Sequence, residues 1–246
     1  PLYSSAASDV YKRQLHETAC DLWETFAGKF AYTSAAIYGA LAAAARVGKA
    51  WGESDAAQWL HAAREIKQAA MKQFRARGHW LASLTAKGEP NARADSSLLG
   101  LIEPFSLLRT GIESERRQAA RVIAEVEARL VRRTRVGPLV LRYEGDSYLG
   151  GMPGIVNTLW MARCLYRLAA GEAQSDLDAA RAHFASADAY LTAALACRTE
   201  TGLFPELGGG GPLAPYWAAP HLWASAAFIS ACFRRGEALE AMEQIE

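Results

Sequence analysis

Two glutamates stand where acid–base chemistry could be done. Glu24 follows Trp23 in the run Asp21-Leu22-Trp23-Glu24. A carboxyl held against an indole is partly desolvated, which disfavours its charged form. Such a group keeps its proton near neutral pH and can act as a general acid. Glu206 ends Gly202-Leu203-Phe204-Pro205-Glu206, 182 positions later. On a glycine-rich loop it is expected to stay ionised, as a general base holding a water must. Glu24 is therefore expected to be the drier of the two. Each glutamate alone has a plainer reading. Glu24 could be a helix-start carboxylate favoured by the dipole, and Glu206 a solvated loop residue.

A second group lies in Arg142-Tyr143-Glu144-Gly145-Asp146-Ser147-Tyr148, followed by Gly150-Gly151-Met152-Pro153. Arg142 and Asp146 offer charged hydrogen-bonding groups, or else an ion pair that ties the loop. Trp59, Trp160 and Trp223 sit at helical spacing, which favours core positions, and His221 near a helix start reads as a structural histidine. Gly208 to Gly211 has no strand before it and no phosphate-loop pattern, so it reads as a flexible loop and not a nucleotide site.

The elements that must position these residues are helices. Ala27-Gly28-Lys29 reads as a turn, and Phe30 opens an alanine-rich helix to about Trp51, with Tyr38, Leu41, Ala45 and Val47 near one face. Ser54-Asp55 should cap a second helix, with Ala56, Trp59, Leu60, Ala63, Ile66, Ala70 and Phe74 at three-four spacing. His79 to Leu84 reads as a strand or extended loop. Asp95-Ser96-Ser97 could cap the apolar run Leu98 to Leu108, which Pro104 interrupts. Further helices are expected over Glu113–Arg133, Ile155–Ala169, from a capping box at Ser175 to Ala196, and from about Ala219 with Trp223, Ala227, Phe228 and Ala231 inward. Val136 to Gly151 is not helical.

Helical hairpins of this length, about eight helices with long loops at every second connection, can wrap into an (α/α) barrel. The residues of interest then fall on loops held by a rigid scaffold. No helical-repeat consensus recurs.

Composition narrows the function classes. The chain has 246 residues, is 51% hydrophobic, and carries 27 basic against 26 acidic side chains. It can bury a sizeable core, and no basic face points to nucleic acid. No apolar run reaches membrane-span length. Cys20, Cys164, Cys197 and Cys232 show no metal-ligand or CxxC spacing and read as buried small hydrophobes, which suits a reducing, cytoplasmic compartment. Residues 1–14 have no helical period. Asp9 to Gln14 resembles translated adapter sequence heading metagenomic bacterial reading frames, so this stretch is set apart as a non-native leader. That leaves 15–246 for one large domain.

Three segments together resemble glycoside hydrolase family fifteen, the glucoamylase type. Asp21-Leu22-Trp23-Glu24 with Phe30-Ala31-Tyr32-Thr33 is similar to its catalytic-acid segment. Arg142-Tyr143, Asp146-Ser147-Tyr148 and Gly150-Gly151-Met152-Pro153 resemble its substrate loop. Gly202-Leu203-Phe204-Pro205-Glu206 with Leu222-Trp223-Ala224 resembles its catalytic-base segment. The order and spacing also match, over roughly residues 17–235. The resemblance implies an all-α (α/α)6 barrel and inverting, exo-acting hydrolysis of α-glucosidic bonds without a cofactor. It makes Glu24 the general acid and Glu206 the general base. Arg142 and Asp146 would hold sugar hydroxyls, while Trp23, Tyr148 and Trp223 line the pocket. Inversion needs two carboxyls about 6.5–9.5 Å apart, with room for a water.

The departures are specific. Gly154 stands where the family often has Trp, Leu207 where Gln commonly follows the base, and Ala224-Ser225 where Ser-Tyr or Ser-His follows the late Trp. Early barrel helices that carry an Arg-Asp sugar clamp are missing, so the barrel is expected to be incomplete and poorly stable. A trehalase or phosphorylase on a related barrel is the nearest alternative, although Glu206 argues against a phosphorylase. A non-catalytic helical scaffold that binds sugar or protein is the other.

Overall fold

The structure, a computed structural model, describes residues 15–76, 78–209 and 217–245. The leader assigned to residues 1–14 lies outside the described residues. The chain divides into two compact units, Pro1–Arg93 with Pro104–Leu107, and Ala94–Glu103 with Leu108–Glu246.

The first unit is a helical hairpin with small strands at its ends. Its elements are β1 (Ala19–Cys20), β2 (Ala27–Phe30), α1 (Ala31–Trp51), α2 (Ala56–Gln73), β3 (Arg75–Ala76), β4 (His79–Trp80), β5 (Ser83–Leu84) and β6 (Pro90–Asn91). Strands β1, β2, β5 and β6 form an antiparallel ribbon, with Lys29 opposite Leu84 and Phe30 opposite Ser83. The segment expected to be a turn at Ala27-Gly28-Lys29 is thus a strand. Phe30 ends that strand in extended conformation and does not open the helix. Its N–H donates to His16 Nε2 at 2.8 Å, and the Ala31 N–H donates to Ala82 O at 3.0 Å. Because Nε2 accepts, the His16 ring proton belongs on Nδ1, which lies 2.6 Å from Glu17 O. Two N–H groups at the helix entrance are thus satisfied, one by the His16 ring and one by the Ala82 carbonyl, with no cap from the N-cap residue itself.

Helix α1 buries mainly small residues, Ala31, Ser34, Ala35, Ala45 and Gly48, while Val47 is exposed. Helix α2 buries Ala63, Ile66 and Ala70, with Phe74 just beyond its end, while Leu60 is exposed and Trp59 half-buried. The apolar stripe is narrower than the sequence suggested. The expected Ser54-Asp55 cap does not form, because Ser54 Oγ donates to Asp55 Oδ1 at 3.3 Å and no helix N–H is capped by either side chain.

The second unit runs through a 3-10 helix (Ser96–Leu101), α3 (Glu113–Leu130), β7 (Val131–Thr134), β8 (Gly137–Val140), a 3-10 turn (Tyr148–Gly150), α4 (Ile155–Glu172), α5 (Leu177–Ala196) and α6 (Leu222–Glu243). Asp95 caps the 3-10 helix by accepting from the Ser97 N–H at 2.8 Å, as the sequence suggested. Helix α3 stops at Leu130, short of the expected Arg133, because Val131 to Thr134 pairs with Gly137 to Val140 as a hairpin. At α5 the cap is Asp176, accepting from Ala179 N–H at 3.0 Å; Ser175 Oγ instead turns back to Glu172 O.

Helix α4 organises this unit. Every residue from Ile155 to Tyr166 is buried, on all sides of the helix. A helix apolar all round belongs in a core. It packs against α3, α5, α6 and β8. Each fully buried Leu or Met contributes about 1.5–3 kcal/mol. The sequence reading missed one feature of this core. Glu103 is fully buried, and Arg163 Nη2 donates to its Oε2 at 2.9 Å. Arg167 and Arg234 place their Nε atoms 3.2 and 3.0 Å from Oε1 as ion pairs without good hydrogen-bond alignment. A carboxylate inside an apolar run needs such partners, since an unpaired buried charge is strongly destabilising.

The cysteines divide. Cys164 and Cys197 are buried as expected, but Cys20 and Cys232 are exposed. Cys20 lies on a two-residue edge strand with both side chains outward, and Cys232 on the outward face of α6. Among the described residues no helix is long and apolar enough to cross a membrane, and no cluster of three potential metal ligands occurs.

Candidate active site

Glu24 sits in a tight turn of the first unit. Buried Asp21 builds that turn. Its Oδ1 accepts from Thr25 N at 2.6 Å and Phe26 N at 3.3 Å, and its Oδ2 accepts from Thr25 Oγ1 at 2.7 Å. Backbone bonds from Asp21 N to Phe26 O, and from Glu24 N to Asp21 O, close it. Asp side chains commonly stabilise turns in this way. Glu24 takes a left-handed φ of 56°. It is exposed, and Trp23 beside it is half-buried. The expectation that Glu24 would be the drier carboxyl is not met: Glu206 is half-buried. The left-handed turn carries the Glu24 side chain outward, which adjacency to Trp23 in sequence could not reveal.

Glu206 is fixed in the second unit by bonds to distant segments. Its carbonyl accepts from Ile155 N at 2.9 Å, one of the N–H groups that α4 cannot satisfy internally. Its own N–H donates to Trp217 O at 3.1 Å. Val140, Gly154 and Leu207 join in antiparallel bridges, and Gly208 N–H donates to Pro153 O at 3.0 Å. A side chain would crowd its neighbours at two of these crossings. A Cβ on Gly154 would lie 2.0 Å from Asn157 Oδ1, and one on Gly208 would lie 2.7 Å from both Cys197 Sγ and Ile155 Cδ1. Gly208 is therefore a packed position, not part of a flexible loop; Gly210 and Gly211 lie outside the described residues.

Arg142, Asp146, Tyr148 and Glu206 come together. Arg142 grips Asp146 with two bonds of 2.7 Å, Nε to Oδ2 and Nη2 to Oδ1. The Asp146 carboxylate is only 1% exposed, so its oxygens are spent on Arg142 and on the Tyr148 N–H at 3.0 Å. This is the loop-tying arrangement, and it leaves Asp146 little surface for a ligand. The Arg142 guanidinium lies 4.4 Å over the Tyr148 ring. Burial works against its charge, yet the hydrogen bond and attraction to Asp146, with a smaller pull from Glu206, raise its pKa above the ordinary value. The Tyr148 hydroxyl lies 3.3 Å from Glu206 Oε2.

Trp217, which the sequence reading passed over, completes the group. Its Nε1 donates to the Tyr148 hydroxyl at 2.8 Å, and its ring meets that of Tyr148 edge-on. Its only sequence signal is an aromatic residue shortly after a candidate base. Trp223 is 41% exposed at the start of α6, with its ring packed edge-on against buried Trp160, so it presents a surface where the sequence placed it inward. His221 keeps Nδ1 without a hydrogen-bond partner among the described residues, and burial lowers its pKa against the pull of Glu206. Among the described residues the non-glycine positions with left-handed φ are Glu24, Ser106, Leu149 and Ala218. Glu24 is itself a candidate, Leu149 follows Tyr148 and Ala218 follows Trp217, and backbone strain of this kind clusters at functional sites. A groove of about 740 Å³ beside the β7–β8 turn reaches Leu207 and Gly208, but Arg132, Arg133, Arg135 and Arg198 line it and no carboxylate does.

Comparison with known proteins places the chain in a family. Residues 5–204 match the family model for glycosyl hydrolases family 15, a match that ends two residues before Glu206. An uncharacterized glycosyl hydrolase of Methanocaldococcus jannaschii is 29% identical over 218 residues, covering 87% of this chain and 34% of the relative. The glucoamylase of Hormoconis resinae superposes with a TM-score of 0.71 at 19% identity, over 94% of this chain and 47% of its own. The glucoamylase of Saccharomycopsis fibuligera gives 0.69 at 18% identity, over 90% and 58%. The chain thus spans about a third of the curated relative and about half of each of these solved chains. The structural likeness shows the (α/α)6 fold of helical hairpins. With the family model matched over most of its length, the chain belongs to glycosyl hydrolase family 15.

Proposed function

We propose that the whole protein is an inverting, exo-acting hydrolase of α-glucosidic bonds in oligo- or polysaccharides, with Glu24 as general acid and Glu206 as general base. Glu24 donates its proton to the glycosidic oxygen as the bond from that oxygen to C1 breaks. Glu206 accepts a proton from the water whose oxygen bonds to C1 from the opposite face. One water is consumed, the anomeric configuration inverts, and solvent exchange resets both carboxyls.

The observation that carries this reading is the seating of Glu206. Its main chain is held at both ends, and the Tyr148 hydroxyl lies within reach of one carboxylate oxygen. A base that must hold a water in one orientation needs this fixity. Tyr148, Trp23 and exposed Trp223 offer aromatic surface for the apolar faces of a sugar ring. Arg142 and Asp146 act mainly by fixing Tyr148.

The test is kinetic, on the full natural chain. Glu24→Gln should abolish turnover of maltose but spare α-glucosyl fluoride more, since fluoride leaves with little protonation. Glu206→Gln should impair both. Near-wild-type turnover of maltose by either variant would overturn that residue's role. Rates on maltose, isomaltose, trehalose and dextran define the linkage.

A further inference from the structure

The Tyr148 hydroxyl has one proton and two lone pairs, and an indole N–H can only donate. The 2.8 Å bond from Trp217 Nε1 therefore occupies a lone pair on the Tyr148 oxygen. That leaves the tyrosine proton for Glu206 Oε2 at 3.3 Å. An ionised carboxylate can only accept, so Glu206 itself sets the direction of this bond; the Trp217 N–H anchors the donating Tyr148 oxygen, although it does not touch the carboxylate. The same residue also binds the Glu206 main chain through its carbonyl at 3.1 Å. Arg142 on the Tyr148 ring face and Trp217 at its edge prevent the ring from swinging away. Ala218, next in sequence, holds a left-handed φ of 49°, a conformation that alanine adopts only when its surroundings impose it.

We propose that Trp217 is a positioning residue for Glu206: its carbonyl holds the glutamate N–H, and its indole N–H makes Tyr148 a fixed donor to the carboxylate. The proposal rests on the reading of Glu206 as general base.

A double-mutant cycle in the full natural chain tests it. Trp217→Phe keeps an aromatic ring and loses the N–H, and Tyr148→Phe loses the hydroxyl. Each should lower kcat on maltose by about tenfold, with KM little changed. The double variant should be no slower than Tyr148→Phe alone, because both changes cut one chain of bonds. Trp217 is 41% exposed, so Trp217→Phe should fold, with a melting temperature near wild type. An equal loss of kcat from Trp217→Phe in the wild-type and Tyr148→Phe backgrounds would overturn the relay. So would an effect confined to KM, which would make Trp217 a sugar contact instead. Glu206→Gln, measured alongside, separates the two failures. If it abolishes turnover while the cycle is additive, only the relay is wrong. If it spares turnover, the base assignment falls and the relay with it.

Discussion

The hydrogen bonds that shape the turn at Glu24 run between residues 21 and 26, with Asp21 at their centre. Those that seat Glu206 come from Ile155, Trp217 and Tyr148, the last 58 positions away. The two glutamates are thus positioned by opposite means, one by a local turn and the other by a tertiary lattice. A local turn can be disturbed without unfolding the core around it. The Glu206 seat shares its hydrogen bonds with the first turn of α4, the helix buried on all sides. Disturbing that seat should therefore cost stability as well as geometry.

Gly154→Ala strikes the lattice and should show the largest effect. The new methyl would lie 2.0 Å from Asn157 Oδ1, and Asn157 is 2% exposed with its Nδ2 bonded to Ser96 Oγ at 2.7 Å. Overpacking of this kind costs about 1–3 kcal/mol. Chemical denaturation should show that loss, and an unchanged midpoint would mean the crossing tolerates a side chain.

Asp21→Ala removes three bonds from the turn. A smaller loss of about 1 kcal/mol is expected, since neighbouring water can replace some of them. Proteolysis or hydrogen exchange should localise the loosening to residues near 21–26. A loss as large as that of Gly154→Ala would erase the distinction between local and tertiary seating.

The smallest effect concerns pH. Burial holds the folded-state pKa of His221 below its ordinary 6.5. The unfolded chain therefore binds the extra proton first, and stability falls as pH drops below 6.5 toward the folded value. At pH 8 both states are neutral there and the contribution vanishes. Urea midpoints of wild type and His221→Gln should differ by a constant amount above pH 7, and wild type should lose more stability in mildly acid solution. Parallel curves would assign the acid sensitivity elsewhere.

Much of the helical framework was legible because periodicity is a local signal. Helix α1 begins one residue from its expected start, and α4 begins at the expected Ile155. Boundaries failed where pairing with distant chain competed with helix propensity. Val131 to Thr134 left α3 to pair with β8, and Ala27 to Phe30 became a strand because Ser83 and Leu84 lie alongside it. The Arg142–Asp146 pair was visible at four-residue spacing, but its burial was not. That burial spends the Asp146 oxygens on Arg142 and the Tyr148 N–H, the loop-tying arrangement.

What the sequence determined by itself was the family, the helical-hairpin architecture and the residue types able to do acid–base chemistry, because motif order and apolar period survive without knowledge of contacts. The tertiary structure alone decided that Glu206 is drier than Glu24, that Gly154 and Gly208 are packed crossings, and that Trp217 stands behind Tyr148. Those facts depend on which distant backbone fills each neighbouring volume, and no spacing along the chain encodes that.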